Sequence, residues 1–152
     1  MLETKEIYRK LALICSRKEY CVSEIEQKML KWDLNLQQKE TIISNLIDEH
    51  FIDELRFTEA FVKDKFRFNK WGKNKIRYHL KQKQISSELI DNSIQNIPQT
   101  EYEHLIETLL ESKNKSVKAK NTYERKAKLL RFMTQKGFEF DLVNNSLEKM
   151  VL

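Results

Sequence analysis

Glycine and proline are nearly absent from this chain of 152 residues, which has two Gly and one Pro. Tight turns need these residues for their special backbone angles, so sandwiches, barrels and other turn-rich folds are excluded. The two glycines, Gly72 and Gly137, stand too far apart for a Gly-rich phosphate loop, which removes the dinucleotide and P-loop fingerprints. Cysteine is equally scarce. Cys15 and Cys21 are too few for a disulfide framework, structural zinc asks for four ligands at closer spacing, and both read as ordinary reduced thiols. No apolar run approaches the roughly 20 residues that span a bilayer. The polar, periodic opening MLETKEIYRK is unlike a signal peptide, so a cytoplasmic protein without membrane contact is expected.

What remains is rich in Lys, Glu, Leu, Ile and Gln, and favours helices. A repeat organises them. Between Trp71 and Ile97 the apolar positions are Ile76, Leu80, Ile85, Leu89, Ile90, Ile94 and Ile97. At an offset of 53 residues the same positions hold Leu129, Met133, Phe138, Leu142, Val143, Leu147 and Met150. At an offset of 51 in the other direction stand Ile25, Met29 and Leu34, after which the pattern slips and resumes at Ile42, Ile43 and Ile47. Each copy reads as three helices. The first is long and amphipathic, over about 3–17, 54–69 and 101–116; the second carries an apolar pair at i, i+4; a break and a third helix follow. Ser23 with Glu26 and Thr100 with Glu103 have capping-box spacing, and Pro98 marks a handover between copies. The expected fold is therefore all-α: three tandem three-helix repeats, 1–53, 54–98 and 99–152, in an elongated, curved array.

Charge is uneven along these units. The net charge is +5 overall, but −2 over 1–53, +5 over 54–98 and +2 over 99–152. Two windows stand out: Lys63–Lys83 holds nine cations against Asp64 alone, and Lys113–Lys136 holds nine against Glu124 alone. A solvated helix face normally interleaves acids for i, i+4 pairing, and these windows lack them. They carry the electrostatic footprint of a protein that meets a polyanion or an acidic partner.

Catalytic patterns are missing. His50, His79 and His104 are scattered, no nucleophile elbow, kinase set or calcium loop is present, and no carboxylate pair stands out from the helix surfaces. No enzyme activity, cofactor or metal is expected. His79 lies beside Ile76 and Leu80, on the inward side of its helix, and reads as a packed, hydrogen-bonded core histidine.

The basic second helix of the middle repeat holds the most information. With Ile76 turned inward, Lys73, Arg77 and Lys81 form one flank at i, i+4 and i+8, and Tyr78 points away from the core. Trp71 and Gly72 precede the helix, where Gly permits a close approach or a left-handed backbone. An outward aromatic among cations can stack on bases or anchor a protein contact.

From Phe51 to Ile85 the chain resembles the RecX family of bacterial recombination regulators. The family pattern is carried by Phe51, Asp53, Glu54, Arg56, Phe57, Glu59 and Phe61, then by Lys70, Trp71, Gly72, Ile76, Leu80, Lys83 and Ile85. Three departures occur: Thr58 replaces an alanine, and Lys70 and Gln84 replace glycines. The resemblance implies three tandem three-helix repeats and binding to filaments of the RecA recombinase on single-stranded DNA. It further implies restraint of RecA ATP hydrolysis, strand exchange and the co-protease activity that triggers the SOS response. Candidate contact residues are Lys73, Arg77 and Lys81, joined by Arg67, Lys70, Trp71, Lys75, Tyr78 and Lys83 in the same window. The second window contributes Lys126, Lys128 and Arg131. Single- or double-stranded DNA is a further expected partner, and the chain is expected to act as a monomer. Three-helix units with basic second helices also resemble helix-turn-helix modules, so a DNA-binding domain without a recombinase is the alternative.

Overall fold

The computed structural model describes residues 3–152. Nine helices and no strand occur among the described residues. The first triplet is α1 (Thr4–Arg17), α2 (Val22–Met29) and α3 (Leu36–Asp48). The second is α4 (Glu54–Arg67), α5 (Lys73–Gln82) and α6 (Ser87–Gln95); the third is α7 (Gln99–Ser116), α8 (Thr122–Gln135) and α9 (Phe140–Lys149). The most extensive helix-to-helix packing lies within each triplet: α1 on α3, α4 on α5 and α6, and α7 on α8 and α9.

Local chemistry sets the helix starts. Asn35, Asp53, Ser86 and Asn121 each accept from a backbone N–H of the first turn, filling one of the orphan donors there. Neither capping box expected from spacing forms. Helix α2 begins earlier than Ser23, with Cys21 as its cap and the Glu24 carboxylate accepting from the Cys21 N–H at 3.1 Å. Thr100 lies inside α7, whose cap is Pro98. A spacing rule sees side chains only, whereas the Cys21 start is fixed by contacts with the next repeat, described below.

The repeat pattern emerges as burial. Ile76, Leu80, Ile85, Ile90 and Ile94 are buried, as are Leu129, Met133, Phe138, Val143 and Leu147. In the first repeat Ile25, Met29 and Ile42 follow suit, but Ile47 is exposed and Leu46 takes the core position. Ile42 and Leu46 are four apart on one face of α3; Ile47 lies a further 100° round the helix. Two cores result. One belongs to the first repeat, and the other runs continuously through the second and third. No hydrogen bond or ion pair among the described residues links 3–53 to 99–152, so each unit meets only its sequence neighbour.

Left-handed backbone ends several helices. His50, Lys70 and Gln84 have φ of 62°, 57° and 63°, and Gly137 has φ of 96°. Lys70 and Gln84 are the two positions where this chain departs from a glycine of the family pattern, the residue suited to this conformation.

Candidate functional site

The second and third repeats meet backbone to backbone. The Gly72 N–H donates to the Lys136 carbonyl at 2.8 Å, and the Asn74 N–H donates to the Gly137 carbonyl at 2.9 Å. A Cβ on Gly72 would overlap the Gly137 carbonyl carbon and the Phe138 nitrogen, so glycine serves close approach here; its φ of −76° is ordinary. The first and second repeats meet at the corresponding place, through a side chain. The Ser23 hydroxyl donates to the Lys83 carbonyl at 2.6 Å, and Lys83 is the counterpart of Lys136 in the 53-residue register. At both junctions the N-terminus of one second helix sits on the C-terminal end of the next.

Beside the second junction, cations gather around Trp71. The half-buried indole packs against Phe61, with centroids 6.5 Å apart, and against His79 at 4.6 Å. The Lys65 and Lys75 ammonium groups lie 5.0 and 4.6 Å from its ring centroid, within cation–π range. Burial, then the charges of Lys75, Lys65 and Lys83, hold the His79 imidazole below its ordinary value. Lys136, from the third repeat, is lowered likewise by burial and by Lys75 and Lys70. Like charges from two repeats thus converge on one face. His79 therefore lies in this half-exposed aromatic stack and not in the core: its ring lies against Trp71, and no hydrogen bond holds its side chain among the described residues.

The expected flank divides. Lys73 is half-buried: its ammonium group sits 4.5 Å from the Tyr102 ring centroid, and its N–H donates to the Tyr102 hydroxyl at 3.0 Å. Arg77 pairs with Asp91 at 3.6 Å, and of the three only Lys81 is exposed and without a partner among the described residues. The helix wheel placed these residues correctly on α5 but could not show α7 and α6 beside them. Lys83 is bound to Glu24 at 2.8 Å, Lys128 to Glu124 at 3.0 Å and to the Lys118 carbonyl, and Arg67 only approaches Glu101 at 4.0 Å. Lys70, Lys126 and Arg131 are exposed and unpaired among the described residues, and Tyr78 is 59% exposed.

Sequence reasoning missed Lys65, Lys113 and Lys136. A signal for two of them was available: Phe61–Lys65 and Phe132–Lys136 share an aromatic-to-lysine spacing of i, i+4, which brings the cation over the ring on a helix. No cluster of three or more His, Cys, Asp or Glu residues placed to hold a metal occurs among the described residues. No helix among them is long and apolar enough to cross a membrane.

Three-helix units joined end to end, with a basic aromatic face at a junction, define a helical-repeat protein. Models of the second and third three-helix domains of RecX match residues 53–94 and 101–147. The chain is 30% identical over 134 residues to the regulatory protein RecX of Vibrio campbellii, covering 88% of this chain and 84% of that protein. Over 137 residues it is 27% identical to the RecX of Acinetobacter baylyi, covering 90% and 83%. The chain belongs to the RecX family. Its fold is that of two crystal structures. One, RecX from Lactobacillus salivarius, has a TM-score of 0.83 at 19% identity, over 96% of this chain and 95% of that one. The other, a regulatory protein RecX, has a TM-score of 0.87 at 20% identity, over 96% and 73%.

Proposed function

We propose that this protein regulates the RecA recombinase in the cytoplasm, binding as a monomer along RecA filaments on single-stranded DNA. Binding restrains ATP hydrolysis, strand exchange and co-protease activity, and the protein itself catalyses nothing. Family membership gives the class. The observation that carries the reading is the convergence of Lys70, Lys75 and Lys136 beside Trp71, at the junction of units 54–98 and 99–152. Unneutralised cations drawn from two repeats suit a partner that extends along the array and carries negative charge throughout its length.

The stand-alone helix-turn-helix alternative fits less well. Such modules insert the N-terminal residues of the second helix into the major groove. Here the N-termini of α2 and α5 are covered by the next repeat, through Ser23 on Lys83 and Gly72 on Lys136. The test is RecA ATPase on single-stranded DNA with the purified protein added. A dose-dependent fall supports the proposal; unchanged hydrolysis at saturating protein sinks it.

A further inference from the structure

Every repeat holds one aromatic ring that carries two lysine ammonium groups. Tyr20 has Lys18 at 5.2 Å and Lys28 at 5.0 Å. Trp71 has Lys65 at 5.0 Å and Lys75 at 4.6 Å. Phe132 has Lys113 at 4.8 Å and Lys136 at 5.9 Å. The rings fall at related places, while the lysines come from different positions in each repeat. Tyr20 is the counterpart of Trp71 at the 51-residue offset, and Phe132 is the counterpart of His79, the residue stacked on Trp71, at the 53-residue offset. In each case one lysine comes from the end of the repeat's first helix or just beyond it, and the other from the second helix or its C-terminal cap.

The three units are contiguous. Lys18 lines a cavity of about 350 Å³ together with Lys65 and Lys83, which carries the row from the first repeat to the second. Of the acids in that cavity, Glu19 is held by Arg56 and Glu24 by Lys83, leaving Asp64. From the second repeat to the third, the Lys136 ammonium reaches back to donate to the Asn69 carbonyl at 3.3 Å, and Lys75 packs directly against Gly137.

We infer that the lysines on Tyr20, Trp71 and Phe132 form a continuous track for the phosphodiester backbone of a single nucleic-acid strand. Resting on the reading above, this names the filament's DNA, not its protein, as what the row touches. All six cations are lysines. The arginines Arg56, Arg77 and Arg125 are spent on internal carboxylates and carbonyls, where a planar fork binds best. Compact ammonium groups at one pair per repeat suit a ligand with a charge at every step and no fixed side-chain geometry. A folded acidic surface would call for the opposite choice. A duplex is disfavoured because the N-termini of two of the three second helices, α2 and α5, are covered by the next repeat, whereas a single strand can bend along the row. The track also includes Lys18 and Lys28, in a repeat whose net charge is −2.

The experiment uses the full chain with fluorescein-labelled oligothymidylates of increasing length, read by anisotropy across a salt series. Three double variants are compared: Lys18→Gln with Lys28→Gln, Lys65→Gln with Lys75→Gln, and Lys113→Gln with Lys136→Gln. Each pair is expected to weaken binding of a long oligomer about tenfold at low salt. Each should also flatten the salt slope by about 1.4, at roughly 0.7 per phosphate contact on single strands. The first pair should leave the shortest bound oligomer unaffected. Lys→Arg versions of the same pairs keep the charge and should restore binding, which separates a lost contact from a lost fold. Wild-type protein that ignores oligothymidylate, or a first pair with wild-type affinity and slope on long oligomers, overturns the track. So does loss of binding to DNA-free RecA with oligomer binding intact, which would make the row a protein contact. Should oligomer results hold while RecA ATPase is untouched, the regulatory reading fails and the track stands.

Discussion

Gly72 and Gly137, the only two glycines of the chain, lie against each other across the junction of the second and third repeats. The Gly72 N–H bonds the carbonyl just before Gly137, and the Asn74 N–H bonds the Gly137 carbonyl itself. Gly72 is buried with an ordinary φ, so only space demands glycine; Gly137 needs both space and its φ of 96°.

Gly72→Ala is therefore expected to destabilise by about 1–3 kcal/mol, the usual cost of forcing atoms into a packed site. Gly137→Ala should cost more, because a left-handed alanine adds about 1 kcal/mol and its Cβ would meet Lys75. Urea unfolding measures both. A Gly137→Ala variant as stable as wild type would contradict the contact.

Gln84 predicts the converse. It occupies the position of Gly137 one repeat earlier and holds φ of 63° with a side chain exposed. Gln84→Gly should stabilise by about 0.5–1 kcal/mol through relief of that strain. The gain corresponds to roughly 1–4 °C in melting temperature for a chain of this size. Gln84→Val should lower it instead.

These positions also show what local pattern can and cannot reveal. The register of Ile76, Leu80, Leu129 and Met133 was legible because burial at i, i+4 is a property of one helix. All four are 0% exposed. The Cys21 cap and the placement of Lys73 on Tyr102 were not legible, because each is decided by a neighbouring repeat distant in sequence. The same reason hid Lys136, whose role depends on Lys70 and Lys75 across the junction. Charge clustering marked the two windows but not the neighbours of each cation within them, such as Tyr102 beside Lys73 and Asp91 beside Arg77.

Substitutions on α5 separate packing from binding accordingly. Ile76→Ala or Leu80→Ala should cost about 2–5 kcal/mol through the cavity left in the shared core. Lys73→Ala should cost about 0.5–1 kcal/mol from the lost Tyr102 ring contact, whereas Lys81→Ala should stay within about 0.5 kcal/mol of wild type. Thermal unfolding of the four variants gives the order directly. Equal losses at Lys73 and Lys81 would refute the ring contact.

His79 offers a titration test. Burial and the nearby Lys75, Lys65 and Lys83 depress its imidazole in the folded chain. The native state thus binds fewer protons than the unfolded one below the ordinary value of about 6.5. Its contribution to stability is present above that value and is lost as pH falls through the folded midpoint. Proton NMR should place the His79 midpoint below the ordinary value, and Lys75→Gln should move it upward. An unmoved midpoint would remove Lys75 from the cluster.

The junction of the first two repeats yields opposite expectations for two carboxylates that touch it. Burial alone would raise Glu24, but the Lys83 ammonium at 2.8 Å and the Cys21 N–H outweigh it and hold the carboxyl low. Glu54 accepts only the Val22 N–H at 3.0 Å; burial, reinforced by the Glu26 charge, raises it. A depressed carboxyl stabilises the fold above its unfolded value of about 4.3, and that stability is lost as pH falls through the folded midpoint. A raised carboxyl has the reverse sign: ionisation at neutral pH works against the fold, and protonation relieves it. Glu24→Gln should therefore lower stability at pH 7 and lose its effect in acid, since the wild-type carboxyl is then protonated as well. Glu54→Gln can still accept from Val22 and removes an uncompensated charge, so stability at pH 7 should hold or rise. Urea midpoints for both variants at pH 7 and in acid decide the matter, and a Glu54→Gln variant that weakens the fold at pH 7 as much as Glu24→Gln does would show that the two carboxylates share one role.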